Sequence, residues 1–237
     1  MQRVVTRDDI RTFFSGNVQN VSHYVTAFVH KSALKEFPHL GDSYERLEFI
    51  GDSVVNFIIG KYLFDRYPTK KEGFLTRVRT KIVSGKCLCE ISRALGLYRF
   101  VFMDHKGIRN GWNENDRICE DVFEAFVGAL YLDLGLVVAR DFVVSCVERL
   151  VNFDGVVQDT NYKDILMRWT QATGIPLPEY SAVEARHHGI RMFDVTCMIS
   201  GVESGKGSAL SKKDAEQIAA MHALETHMID IDECHIE

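Results

Sequence analysis

The stretch ERLEFIGDSVV, residues 45–55, sets three acidic side chains at helical spacing within an apolar sequence. Residues three or four apart stand on the same face of a helix. Glu48 and Asp52 are therefore predicted to be neighbours, with Glu45 one turn earlier on the same side. The stretch predicts a helix with an acidic edge and a separate buried stripe.

A second stretch, EDVFEAFVGALYLD, residues 120–133, repeats this arrangement. Asp121 and Glu124 share a helix face because they are one turn apart. Gly128 lies beside them and, having no side chain, would let a neighbouring helix approach closely. If the two helices pack against each other, four carboxylates converge.

The apolar residues of the two stretches are expected to form the packing faces of these helices. The predicted buried residues are Ile50, Val54 and Phe57 in the first stretch and Phe123, Val127 and Leu130 in the second. Tyr44 and Phe49 are likewise interpreted as packing residues.

Converging carboxylates have more than one explanation. Hard oxygen ligands suit Mg²⁺ or Mn²⁺, and two such ions about 3.5–4 Å apart can stabilise the attacking and leaving oxygens of a phosphodiester displacement. From spacing alone, a solvated helix face whose acids pair with Arg46 or Arg117 is the more common arrangement. A carboxylate-bridged di-iron bundle would require Glu-x-x-His pairs, and neither stretch contains one.

The same apolar spacing continues from Arg7 to about Phe153 and predicts a helical bundle. Clusters of Gly, Pro and Asn interrupt the pattern and mark the turns. Helices are expected near residues 22–31, 43–66, 74–94, 116–133 and 136–152. Residues 154–159 are interpreted as a linker.

The pattern changes after this linker. A helix from Tyr162 to Thr173 is expected to stop at Gly174, and a closing helix is expected to begin after Ser211, a good N-cap. Between them, alternating apolar residues predict strands near 179–185, 191–200 and 208–210. The order is α-β-β-β-α.

The bulk composition indicates a folded protein, because 46% of the residues are hydrophobic and 26% are charged. The net charge of −5 offers no general attraction for nucleic acid. The first residues lack the apolar stretch of a signal peptide, and the longest apolar segments fall short of the roughly 18–20 residues that span a bilayer. Six cysteines without paired spacing predict reduced thiols in a cytoplasmic compartment, with no membrane association.

Four motifs in the first region resemble the ribonuclease III family. ERLEFIGDSVV looks like the signature of that family, and DVFEAFVGALYLD, residues 121–133, resembles its second acidic motif. FVHKSA, residues 28–33, and EGFLTRVRTKIVS, residues 72–84, match further segments of the family. The motifs occur in the family's order and spacing, so the resemblance covers nearly the whole region.

The resemblance implies a set of metal-binding positions. They are matched by Glu48, Asp52, Asp121 and Glu124. These residues would hold Mg²⁺, with Mn²⁺ as a substitute, and activate the attacking water, with Asp52 and Glu124 as the catalytic pair. Glu45 and Glu72 match acidic positions at the rim of the family's site and are expected to support the ligands. His30 is interpreted as a structural histidine.

The C-terminal region is similar to the double-stranded-RNA-binding domain. The similarity rests on residues 161–180, 192–201 and 205–225. Such a domain recognises A-form shape through phosphates and 2′-hydroxyls. The residues expected to contact RNA are Gln171, His188, Lys212 and Lys213. The two lysines stand at a helix start, where the dipole already favours phosphate.

Three departures from the family pattern predict modest RNA affinity. His188 is one residue farther from Phe193 than is usual in the family. Ala209 stands where the family often has a glycine. Residues 160–228 contain seven basic and eight acidic side chains. Because few phosphates can then be neutralised, we expect a shallow dependence of RNA binding on salt.

The sequence thus predicts fold class α plus α+β. An all-helical ribonuclease III catalytic domain (1–153) is joined by a linker (154–159) to an α-β-β-β-α double-stranded-RNA-binding domain (160–229) and an acidic tail (230–237). The implied activity is a homodimeric endoribonuclease that cleaves double-stranded RNA by two-metal-ion hydrolysis, leaving staggered 5′-phosphate and 3′-hydroxyl ends. The alternative is a protein that sequesters duplex RNA with little or no cleavage. The presence of all four acids favours catalysis.

Overall fold

The chain forms two compact units, Met1–Val157 and Gln158–Glu237. A computed structural model describes residues 3–14, 16–157, 161–187 and 189–227, without the side chains of 154 and 187. Each unit has its own hydrophobic core. His188 and the predicted acidic tail lie outside the described residues.

The first unit is helical, as the sequence predicted. Its helices are α1 Arg7–Phe13, α2 Val21–Ala27, α3 Ala33–Glu36, α4 Glu45–Arg66, α5 Glu72–Ile82, α6 Gly85–Leu95, α7 His105–Arg109, α8 Asp116–Leu150 and α9 Phe153–Val157. Short 3-10 turns occupy 38–40, 97–100 and 112–114. The two long helices, α4 and α8, form the central contact of the unit.

Several local predictions differ from the structure, and the short helices α3 and α7 were not expected. The single helix expected over 74–94 is two helices, because Ser84 caps a new one and its Oγ accepts a hydrogen bond from the Cys87 amide at 3.4 Å. Helix α9 occupies part of the segment interpreted as a linker. Helix α1 was not expected, although Thr6 and Asp9 form a capping box at its start.

Helix α8 runs through the middle of the unit and is interrupted once. Gly135 has φ 82° and ψ 177°, so the helical path breaks there, close to the break expected between 133 and 136. Among the described residues, α8 is the one helix long and apolar enough to cross a membrane, so the expectation that the longest apolar segments are too short is wrong for α8. It packs as a core helix, as predicted, since 56% of its most apolar stretch is buried inside the protein.

The residues of α8 are buried on nearly all sides along its first half. Every residue from Val122 to Leu130 is buried, and the predicted stripe of Phe123, Val127 and Leu130 is only part of that burial. Phe126 lies among other aromatic rings, with centroid distances of 5.6 Å to Phe13 and 5.3 Å to Phe142. Such tilted and edge-on contacts add to the stability of an apolar core.

Helices α4 and α8 cross with their backbones in contact, through a glycine on each. A Cβ on Gly51 would overlap the Glu124 carbonyl and lie 3.1 Å from the Gly128 amide nitrogen. A Cβ on Gly128 would overlap the Leu47 carbonyl. The close approach predicted for Gly128 is confirmed, and Gly51 is its counterpart on the other helix.

The outer face of α4 exposes large aromatic side chains. Phe49, Phe57 and Phe64 are 76%, 59% and 66% exposed. The interpretation of Phe49 and Phe57 as packing residues is therefore wrong within one chain. Tyr44 is buried as expected, and Leu47, Val54, Val55 and Ile58 form the actual inner face of α4.

The second unit consists of α10 Tyr162–Thr173, β1 Glu179–His187, β2 Ile190–Ile199, β3 Val202–Ala209 and α11 Lys212–Thr226. The strands form an antiparallel sheet in the order β1-β2-β3. A two-residue turn joins β2 to β3, with positive φ at Ser200 (52°) and Gly201 (77°). This is the predicted α-β-β-β-α order.

Strand β3 is longer than the predicted 208–210, because its glycines weaken the strand signal in the sequence. Those glycines are required by packing. A Cβ on Gly205 would lie 2.6 Å from the Ala223 amide nitrogen, and one on Gly207 would lie 2.5 Å from that of Ala219. The glycine face of β3 therefore packs directly on the alanine face of α11.

Gly128→Ala is expected to lower the free energy of unfolding by about 3 kcal/mol, because the added methyl group meets rigid backbone rather than a movable side chain. Urea unfolding of the full chain measures this change. Gly73→Ala is the matched control: nothing lies within 4 Å of its Cβ position. That variant is expected to keep or slightly raise the stability. Equal unfolding midpoints for Gly128→Ala and the unchanged protein would contradict the close crossing.

Candidate active site

The four acidic residues singled out in the sequence line one cavity of about 1120 Å³ in the first unit. Glu48 and Asp52 reach it from α4, and Asp121 and Glu124 reach it from α8. The crossing at Gly51 and Gly128 holds these two helix edges together. The structure therefore brings together the side chains that the helical spacing paired on each helix.

Glu124 is the most deeply placed of these acids. It is 8% exposed and has no hydrogen-bond or ion-pair partner among the residues that the structure describes. Burial, and after it the neighbouring charges of Asp52, Glu120, Glu48 and Asp121, together raise the pKa of Glu124 to about 8. An isolated carboxylate is costly to bury in its charged form, so a cation beside it would relieve a large electrostatic penalty.

Asp121 is held in place by a neighbouring hydroxyl. The Tyr44 hydroxyl donates a hydrogen bond to Asp121 Oδ2 at 3.1 Å. Burial raises the pKa of Asp121, while this hydrogen bond and the positive charge of Arg117 oppose the rise. Tyr44 thus orients the carboxylate and leaves its second oxygen for another partner.

Glu48 and Glu45 differ in their surroundings although they are on one face of α4. Glu48 is half-buried, and burial together with the charges of Asp121 and Glu45 raises its pKa. Glu45 accepts a hydrogen bond from Lys31 Nζ at 2.8 Å, which lowers the pKa of Glu45. Glu45 also lines the cavity, and its side chain is half exposed.

Glu72 is not at this cavity within a single chain. It opens α5, and its carboxylate accepts a hydrogen bond from Thr76 Oγ1 at 2.7 Å. It is not among the residues that line the cavity. The expectation that Glu72 supports the ligands is therefore wrong for the single chain, because α5 carries it elsewhere.

Glu120 is a cavity residue that the sequence reasoning missed. It lies one turn before Glu124 on α8 and lines the same cavity. Burial raises its pKa, and the charges of Asp121 and Asp52 raise it as well. The i, i+4 spacing from Glu124 was the available signal.

His30 lies at the cavity wall in a structural setting. Its Nδ1 is hydrogen-bonded to Ser32 Oγ at 2.9 Å, and its ring centroid is 5.8 Å from that of Tyr44. Burial lowers the pKa of His30. These contacts agree with its interpretation as a structural histidine.

The donor set of the cavity fits a hard divalent cation. It consists of carboxylate oxygens, which suit Mg²⁺ and Mn²⁺. In the described ranges, no three His, Cys, Asp or Glu side chains are close enough to hold one ion as they stand. The carboxylates form an open cluster around the cavity.

The second unit exposes three of the four residues expected to contact RNA. Gln171 lies on α10, and Lys212 and Lys213 lie in the first turn of α11. Ser211 caps α11 as predicted, since its Oγ accepts from the Asp214 amide at 3.1 Å. Lys212 Nζ is 3.9 Å from Glu216.

Residues 22–150 match the Ribonuclease-III-like family, and residues 162–227 match the double-stranded RNA binding motif. The chain belongs to the ribonuclease III family. It is 39% identical over 209 residues to Ribonuclease 3 of Streptococcus gordonii, covering 87% of this chain and 90% of that protein. It is also 41% identical over 222 residues to a protein of Paramecium bursaria Chlorella virus 1, and the match covers 93% of this chain and 79% of that protein.

The family's solved structures share the fold of the first unit. The nuclease domain of ribonuclease III from Campylobacter jejuni superposes with a TM-score of 0.57 at 28% identity. The match covers 62% of this chain and 99% of that domain. That structure is described as showing flexibility in a region involved in its dimer formation.

Proposed function

We propose that this ribonuclease III family member is an endoribonuclease that hydrolyses double-stranded RNA with divalent metal ions held by Glu48, Asp52, Asp121 and Glu124. The observation that carries the proposal is the Glu124 carboxylate. It is nearly buried, has no partner among the described residues, and faces three further acids in one cavity. A bound cation would stabilise a carboxylate that is buried beside other acids.

Magnesium ions bound there would supply the Lewis acidity that activates a water and stabilises the leaving 3′ oxygen, with manganese as a substitute. The chain's own residues prepare the cavity. Tyr44 fixes Asp121 through its hydroxyl, and Lys31 fixes Glu45 at the rim. Asp52 and Glu124 are proposed as the catalytic pair. Hydrolysis with the 3′ oxygen as the leaving group produces a 5′-phosphate and a 3′-hydroxyl.

The exposed face of α4 supports assembly of two copies. Phe57 borders a groove of about 640 Å³ that Leu136 and Val137 of α8 also line. Exposed apolar surface of this kind marks an interaction site. We propose that a second copy of the chain covers it, as the resemblance to the family implies. Two cavities in one dimer would cut the two strands of a duplex with a stagger.

The second unit is proposed to hold the duplex. Its match to the double-stranded RNA binding motif and the exposed Gln171, Lys212 and Lys213 support this role. The positive end of α11 and the two lysines favour phosphate. Asp214 in the same turn and Glu216 near Lys212 reduce the net attraction, so moderate affinity with a shallow salt dependence is expected.

A cytoplasmic location is proposed from the state of the thiols. The described cysteines Cys87, Cys89, Cys119, Cys146 and Cys197 are free. Burial raises the pKa of the Cys87, Cys89 and Cys146 thiols to about 11. Such protonated, unpaired thiols are typical of a reducing compartment.

Glu124→Gln is expected to reduce cleavage of long duplex RNA in Mg²⁺ by at least roughly a hundredfold, because the amide keeps the shape but removes the charge. A chelator should abolish cleavage by the unchanged protein. Gel electrophoresis of the products and a gel shift of the intact RNA measure cutting and binding separately. Glu90→Gln, which removes a charge from an exposed position on α6 outside the cavity, is the control. If the wild-type protein in Mg²⁺ shifts the RNA in the gel but leaves it uncut, the protein binds duplex RNA without cleaving it, and the proposal is wrong.

Phe57→Asp is expected to convert the dimer to a monomer at micromolar concentration, because a buried unpaired charge would be costly at the interface. Light scattering during size exclusion measures the mass. Trp112→Ser is the control, because Trp112 is 45% exposed but lies outside α4. This variant should leave the mass unchanged. A monomeric unchanged protein would refute the proposed assembly.

The double substitution Lys212→Ala with Lys213→Ala is expected to weaken RNA binding about tenfold and to lower the salt slope by about two. Binding titrations at several salt concentrations give both quantities. Lys206→Ala is a suitable control, since Lys206 is paired with Glu203 at 2.9 Å. A slope for the unchanged protein that corresponds to about ten released ions would contradict the expected few phosphate contacts.

A further inference from the structure

The acid cluster of the first unit contains a carboxylate beyond the four proposed ligands. Glu120 is half-buried and lines the cavity together with Glu48, Asp52, Asp121 and Glu124. It lies one helical turn from Glu124 on α8, so the two carboxylates share a face. No hydrogen bond or ion pair engages the Glu120 carboxylate within the described part of the chain.

The position of this carboxylate depends on Gly85, the first residue of α6. A Cβ on Gly85 would lie 2.8 Å from Glu120 Oε1 and 2.7 Å from Cδ, and closer still to Oε2. The absence of a side chain at position 85 therefore leaves the space that the carboxylate occupies. Even alanine there would displace the carboxylate, which is the movable end of a flexible side chain.

The electrostatic surroundings of Glu120 are unfavourable without a cation. Asp121 and Asp52 are the acids whose charges act on it most strongly, and only Arg117 opposes them among the named contributors. Glu120 is in turn second after Asp52 among the charges that act on Glu124. An unpaired carboxylate that close to other acids is stable when a positive ion lies between them.

We propose that Glu120 is a fifth metal ligand in the cavity and binds a divalent ion on the side nearest α6. The inference rests on the proposed function, because it concerns the same metal site. Glu120 would add an oxygen ligand and a negative charge to the site. Divalent affinity would then be higher than the four acids alone provide.

Calorimetric titration of Mn²⁺ into the full chain without RNA tests the proposal. Glu120→Gln is expected to raise the Mn²⁺ dissociation constant about tenfold. Glu90→Gln removes a charge from an exposed position on α6 outside the cavity and is expected to change nothing. Wild-type affinity in Glu120→Gln, with binding lost in Glu124→Gln, would overturn the role of Glu120 and leave the proposed function intact. Wild-type affinity in both variants would overturn both.

Two further variants separate direct binding from other effects. Gly85→Ala should weaken Mn²⁺ binding when Glu120 is present and have no further effect in the Glu120→Gln background. Glu120→Asp keeps the charge but withdraws the carboxylate by one methylene group. We therefore expect its Mn²⁺ affinity to be lower than that of the wild-type protein. Full affinity in Glu120→Asp would overturn direct ligation. Thermal melting in chelator verifies that each variant is folded.

Discussion

The site depends on one steric constraint, the contact of the α4 and α8 backbones at Gly51 and Gly128. A side chain at either position would overlap a main-chain carbonyl of the other helix. Because the backbones touch, the acidic edges on both sides of the crossing lie within reach of one cavity. Burial by the surrounding core then makes the charge of Glu124 unfavourable, and the proposed binding of metal ions rests on this cost.

In the second unit, glycines again allow two elements to pack closely, here a strand against a helix. Gly205 and Gly207 let β3 lie directly on the alanines of α11. That contact fixes the start of α11, where Lys212 and Lys213 are presented. Close packing at glycines thus positions the acids in the first unit and the lysines in the second. This agrees with the proposed roles of the first unit in cleavage and of the second in duplex recognition.

Helical spacing was sufficient to pair Glu48 with Asp52 and Asp121 with Glu124, since it depends on local geometry. It could not predict that Phe57 is exposed, because an outward aromatic residue has the same spacing as an inward one. Glu120 was missed because α8 is enclosed on nearly all sides and has no simple polar face. The start of β3 was missed because its glycines serve packing and carry no strand propensity.

The break at Gly135 divides α8 into two helical rods. The rod before it carries Asp121 and Glu124, and the rod after it carries groove residues such as Val137. The backbone of Gly135 itself lies outside the helical region, with a positive φ. A side chain at position 135 would strain this positive φ, so the placement of the groove relative to the acid cavity depends on glycine there.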